Sequence, residues 1–108
     1  MKAISLLIIL LACSHKERPL QERQLIQCYV ESDTYTAKKP FEANMSLNIS
    51  ELGTVLSSKV LNASEKDANL NACLNYVMMG AGRPFQMEGM SGPYLKTLKF
   101  SPAGKHEL

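Results

Sequence analysis

The alternation of polar and apolar residues at positions 44–50 is the clearest pattern in the chain. Strict alternation has the period of a β-strand with one buried and one solvated face. A short turn that contains Gly53 follows, and residues 54–61 are rich in β-branched and apolar side chains. Together these residues predict an antiparallel hairpin.

A first helix is predicted before the hairpin. It begins after Pro19, whose fixed backbone suits the first turn of a helix, and ends near Asp33. Its apolar positions give a moderately amphipathic pattern: Leu20, Leu25, Ile26, Cys28 and Val30. Residues 33–40 are expected to form a loop.

A second helix is predicted after the hairpin, between the hydroxyl and carboxylate caps of residues 64–67 and the stop at Gly80. Its apolar residues are spaced i, i+3, i+4 and i+7 and therefore share one face: Leu70, Cys73, Leu74 and Val77. The cap residues and the spacing together indicate a helix that packs one side on a core.

A last strand is predicted at residues 94–100, with Leu98 and Phe100 on its core side and Lys96 breaking the apolar pattern. The order α-β-β-α-β provides about three strands, which are too few for a barrel. The sequence therefore predicts an α+β fold, a small antiparallel sheet with two helices packed on one face.

The N-terminal residues predict export. Lys2 gives a basic start, residues 3–12 are almost entirely apolar, and Cys13 follows the small residue Ala12. The run is typical of a secretory signal and is too short to span a bilayer as a helix. A cysteine at this point resembles the lipobox of bacterial lipoproteins. We therefore expect a signal peptide at 1–12, lipidation of Cys13 and a tether at 13–19; the alternative is an ordinary signal or short anchor with a chance cysteine.

The cysteine count fits this interpretation. Three cysteines are present, and lipidation of Cys13 leaves Cys28 and Cys73 in a compartment that allows pairing. A bridge between them closes a loop of about 45 residues, which the chain-entropy model values at about 4 kcal/mol. Two buried free thiols are the alternative.

Composition and charge favour a non-catalytic role. The 108 residues suffice for one domain, and 12 basic against 10 acidic residues leave no electrostatic footprint for nucleic acid. His15 and His106 have no cysteine or carboxylate at metal-ligand spacing, and no serine lies in a nucleophile elbow. We expect no enzyme activity and no cofactor.

Two other functions remain open. Met87 and Met90 have a spacing suited to Cu(I) in the periplasm, because thioethers are soft ligands, although methionines also fill gaps in cores. Three Asn-x-Ser triplets and the last four residues, which loosely resemble an endoplasmic-reticulum retention signal, would instead suit a eukaryotic secretory protein.

The order of several short motifs carries a family resemblance. The motifs are Cys28-Tyr29, the strand and turn through Gly53-Thr54-Val55, the helical Cys73-Leu74, Pro84-Phe85 and the last strand after Gly92. In this order they resemble the C-terminal domain of TonB-like energy transducers, closest to the cysteine-bearing AgmX/PglI variant. The resemblance covers residues 20–102 and leaves a flexible tail at 103–108. Compared with that family, this chain lacks the usual tryptophan, the aromatic-proline pair of the last strand, the transmembrane helix and the proline-rich spacer.

The resemblance implies a folded module that makes protein–protein contacts rather than transmitting force. The expected place is the bacterial envelope, lipid-anchored in the outer membrane and facing the periplasm; the oligomeric state is left open. In the family the last strand lies at a sheet edge, which could accept an extended peptide or an envelope protein by strand addition. The residues concerned are Tyr94, Leu95, Lys96, Thr97, Leu98 and Lys99. Lys96 and Lys99 favour an acidic partner, and cover by the first helix or by a second copy is the alternative.

Overall fold

The order of helices and strands agrees with the α+β prediction. The computed structural model describes residues 19–80 and 91–108. Its elements, numbered along the chain, are α1 (Leu20–Val30), α2 (Asp33–Thr36), β1 (Phe41–Ile49), β2 (Val55–Ala63), α3 (Ala68–Met78) and β3 (Gly92–Phe100). Apart from the short α2, this is the predicted sequence of elements.

The sheet has three antiparallel strands in the order β2-β1-β3. Alternate residues of the central strand β1 are buried: Phe41, Ala43, Met45, Leu47 and Ile49. They form one hydrophobic cluster with the buried side chains of α1 and α3, so the two longer helices cover this face. The predicted alternation starts earlier than expected because Phe41 and Ala43 continue it toward the N-terminus.

Strand β2 is bulged at two positions. Its register with β1 skips Leu61 and Leu56, which therefore have no partner residue in β1. Both leucines are more than half exposed, at 51% and 57%. Extra residues of this kind bend a strand and increase its twist. Of the residues in β2, only Val55 is buried.

The prediction of a loop at residues 33–40 is wrong for its first half, because Asp33–Thr36 form α2. The Ser32 side chain accepts a hydrogen bond from the Tyr35 N–H and so caps this single turn. The Thr34 hydroxyl in α2 also donates a hydrogen bond to the Asp67 carboxylate. Lys38, with a φ of 57°, then turns the chain toward β1.

Asp67 is the cap at the start of α3. One carboxylate oxygen accepts the Leu70 N–H at 3.0 Å, and the other accepts the Thr34 hydroxyl at 2.8 Å and its N–H at 3.3 Å. Burial alone would raise the pKa of this carboxyl, but the hydrogen bonds from Leu70 and Thr34 outweigh burial and hold the pKa below its usual value. A cap was predicted within residues 64–67; its link to Thr34 joins α3 to α2.

The predicted disulfide is present. Cys28 and Cys73 are joined across α1 and α3, with their Cα atoms 5.7 Å apart. Cys28 is buried and Cys73 is half-buried. The bridge therefore closes the helical layer over the sheet, and the alternative of two free thiols does not apply.

Replacement of Asp67 by alanine should lower the free energy of unfolding by about 2 kcal/mol, because the helix cap and the bonds to Thr34 are lost together. Asp67→Asn is the matched control, since asparagine caps helices as well as aspartate. Urea denaturation of both variants at pH 7 measures the difference. A loss as large in Asp67→Asn as in Asp67→Ala would contradict this role of the cap.

Acid should remove the stability that the ionised Asp67 contributes. Because its pKa is lower in the folded state, this contribution is present above the unfolded value of about 3.9 and is lost as the pH falls through the folded pKa. Asp67→Asn lacks this titration. The stability difference between wild type and Asp67→Asn should therefore shrink below about pH 4, and a constant difference would argue against the assignment.

Loss of the disulfide should cost about 2–5 kcal/mol in Cys73→Ser. Peptide mapping of non-reduced protein should first recover one cross-linked pair that contains Cys28 and Cys73. The double variant Cys28→Ser/Cys73→Ser is the control for the stray thiol that the single change leaves. Alkylation of both cysteines without reductant would contradict the bridge.

Candidate functional site

Strand β3 forms one edge of the sheet. Its pairing with β1 is regular, from Phe41 opposite Phe100 to Ile49 opposite Gly92. Within residues 19–80 and 91–108, no strand lies on the other side of β3, and only Lys99 makes a bridge there, to Glu107. One row of β3 backbone groups is therefore directed away from the sheet.

The bridge shows which residues contribute to this outer row. The Lys99 N–H donates to the Glu107 C=O, and the Glu107 N–H donates to the Lys99 C=O, both at 2.8 Å. The backbone groups of Lys99 thus face away from β1. Since this direction alternates along a strand, Leu95 and Thr97 face outward too, whereas Pro93 offers only its C=O.

The side chains of β3 divide between the two faces of the sheet. Leu98 and Phe100 are buried in the core, and Tyr94 and Lys96 are half-buried on the same side. Leu95, which is 70% exposed, projects from the opposite face together with Thr97 and Lys99. Of the six residues predicted to form the edge, Leu98 therefore buries its side chain in the core, away from the exposed face.

A row of polar side chains crosses the solvent-exposed face of the sheet. The Thr97 hydroxyl donates to Asn44 Oδ1 at 2.7 Å, and Asn44 Nδ2 donates to Asn62 Oδ1 at 2.6 Å. One hydrogen-bonded row thereby links all three strands. Thr97 uses its hydroxyl in this row, whereas its backbone N–H points outward at the edge.

The C-terminal residues turn back along β3. Gly104 has a φ of 85°, a left-handed conformation that suits glycine, and its N–H donates to the Ser101 C=O at 3.0 Å. The His106 ring lies against Tyr29 and Phe100, with centroid distances of 5.8 and 5.6 Å, and Leu108 packs on the core cluster. Residues 103–108, expected to form a flexible tail, thus make specific contacts in this structure.

The basic side chains of β3 already contact acceptor atoms. Lys99 Nζ lies 3.5 Å from Glu42 and 3.7 Å from Glu107, and Lys96 Nζ donates to the main-chain oxygen of Leu108 at 3.2 Å. The Lys99 and Glu42 side chains are about half exposed and the Glu107 side chain is 78% exposed, so each ion pair contributes little to stability. Both groups paired with Lys99 Nζ are carboxylates.

A polar cleft beside the start of α3 shows no catalytic arrangement in the described part of the chain. It has a volume of about 310 Å³ and is lined by residues that include Thr34, Lys39, Glu65 and Asp67. Both Asp67 oxygens are already occupied by Leu70 and Thr34. Lys39 and Glu65 form an exposed pair at 3.9 Å. The Asp67 carboxylate in this cleft therefore serves as the helix cap described above.

Other predicted sites have different outcomes. Cys13, Met87 and Met90 lie outside the described residues. Among the residues that are described, no group of three or more His, Cys, Asp or Glu side chains is placed to hold a metal ion. In the same part of the chain, no helix combines the length and the apolar character needed to cross a membrane.

Comparisons with protein-family models, with curated proteins and with solved structures find no match to this chain. The resemblance to TonB-like C-terminal domains therefore remains a prediction from the short motifs.

Proposed function

We propose that this chain is a non-catalytic interaction module of the bacterial cell envelope, anchored by a lipidated Cys13, that binds an extended peptide as an added strand beside β3. The observation that carries the proposal is the outward backbone row at Leu95 and Thr97. A sheet edge of this kind is a ready template for another strand.

Affinity in this mode comes from the backbone, and selectivity comes from side chains. The N–H and C=O groups of Leu95 and Thr97 form the ladder, together with the Pro93 C=O. An added strand would place alternate side chains beside Leu95 and Thr97 on the exposed face. The edge is short, because Pro93 lacks a donor at one end and the Lys99–Glu107 bridge occupies the other.

Two features support the proposed location. The basic, apolar and cysteine-terminated N-terminus has the pattern of a lipoprotein signal. The Cys28–Cys73 disulfide suits an oxidising compartment such as the periplasm. We infer attachment to the outer membrane, with the folded domain in the periplasm and an acidic envelope segment as partner.

Thr97→Pro should weaken strand binding about tenfold or more, because proline removes the outward donor and its ring obstructs the approaching chain. The probe is a set of decapeptides selected from a random display library on the full chain. Thr97→Val is the matched control, since it loses the hydroxyl bond to Asn44 but keeps the N–H. Equal affinity of every selected peptide for folded Thr97→Pro and Thr97→Val would overturn strand addition at this edge.

Lipidation at Cys13 should be visible as incorporation of labelled palmitate into the wild-type chain, which should fractionate with the outer membrane. Cys13→Ser should incorporate no label, because it lacks the thiol that is acylated. The Cys28→Ser/Cys73→Ser variant keeps Cys13 and should still be labelled. An unlabelled wild type, or a labelled Cys13→Ser variant, would exclude the anchor.

A further inference from the structure

Residues 105–108, which we term the tail, lie on the same edge that the proposed function assigns to a partner. Glu107 uses both outward backbone groups of Lys99. Its carboxylate also lies 3.7 Å from Lys99 Nζ, and the main-chain oxygen of Leu108 accepts from Lys96. The tail thus makes the contacts that an incoming acidic strand would make.

The direction of the tail determines how it affects a partner. Glu107 pairs with Lys99 in antiparallel orientation, so the chain passes from Lys99 toward Leu98 as it reaches Leu108. An antiparallel partner strand that pairs with Leu95 and Thr97 and continues toward Lys99 would enter the space that Glu107 and Leu108 occupy. Partner and tail can therefore use the complete edge only one at a time.

We propose that the tail is a built-in competitor for the β3 edge, and that a partner strand with an acidic residue opposite Lys99 and an apolar residue after it binds by displacing Glu107 and Leu108. This inference rests on the proposed function. It adds the chemistry of the partner and a control of access to the same edge.

The tail is held by several separate contacts. The ion pair to Lys99 is exposed and therefore weak. The other contacts include the backbone bridge, the bond from Lys96 Nζ to the main-chain oxygen of Leu108, the bond from the Ser101 N–H to His106 Nδ1 at 3.2 Å, the ring contacts of His106, and the packing of Leu108. The contacts of His106 and Leu108 are thus separate from the bridge between Lys99 and Glu107, which a partner must displace.

Competition by the tail should lower the apparent affinity for a partner by a measurable factor. A site that is covered for about nine-tenths of the time binds its ligand with an apparent affinity about tenfold below the intrinsic value. Removal of the tail should therefore tighten partner binding, even though the partner forms the same bonds to β3 in both cases.

The test uses the selected decapeptides and a peptide of residues 101–108 on full chains that differ only in the tail. A chain ending at Gly104 should bind both kinds of peptide about tenfold more tightly than wild type. Glu107→Pro should do the same, since it removes the N–H donated to Lys99 while keeping His106 and Leu108. Glu107→Gln is the matched control: it keeps the bridge and should stay within about twofold of wild type.

Partner chemistry is tested by replacing the Glu of the 101–108 peptide with Lys, which should weaken its binding to the chain ending at Gly104 about threefold or more. In wild type saturated with a selected decapeptide, nuclear magnetic resonance should show that the backbone hydrogen bonds of the Lys99–Glu107 bridge are lost. Persistence of the bridge in that saturated complex, or equal affinities for wild type and both tail variants, would overturn the competition. If the decapeptides bound Thr97→Pro as tightly as Thr97→Val, this result would instead contradict strand addition itself.

Discussion

The position of α1 depends on two consecutive residues that face different parts of the molecule. Cys28 is bonded to α3, whereas Tyr29 is fully buried and reaches the end of the sheet. The Tyr29 ring stacks on Phe100 at 5.1 Å and meets Tyr35 edge-on at 5.3 Å, and its hydroxyl donates to the Lys39 C=O at 2.6 Å. Burial, with a smaller effect of Tyr35, raises the pKa of this hydroxyl, so it remains a donor across the physiological range. A small domain has a modest core; here Cys28 joins α1 to α3, and Tyr29 joins α1 to the end of the sheet.

The same ring connects the core to the proposed binding edge. His106 packs on both Tyr29 and Phe100, and Phe100 follows Lys99 directly. The two rings that pack α1 against the end of β3 thus also contact His106 of the C-terminal residues. Changes in α1 near Tyr29 would therefore alter both the packing of α1 on Phe100 and the contacts of His106.

The sequence predicted the elements whose signals are local. The alternation at residues 44–50 defined β1, and the spacing of Leu70, Leu74 and Val77 defined α3. Helix α2 was missed because it is a single turn, although Ser32 followed by Asp33 is the kind of cap that could have indicated it. The place of the tail depends on contacts between residues far apart in sequence, such as His106 with Tyr29, and no periodic pattern encodes them. The outward direction of Leu95 and Thr97 likewise required the register of the sheet.

The bulges of β2 have a consequence for how copies of this domain meet. A sheet that grows without limit must present two straight edges, so that each added copy offers a new template. Here β3 is regular along its whole pairing with β1, but β2 is interrupted at Leu56 and Leu61. The opposite edge is therefore twisted away from straight pairing. A strand added beside β3, as proposed, would therefore find no second straight edge at β2, so the sheet would not extend into a fibre.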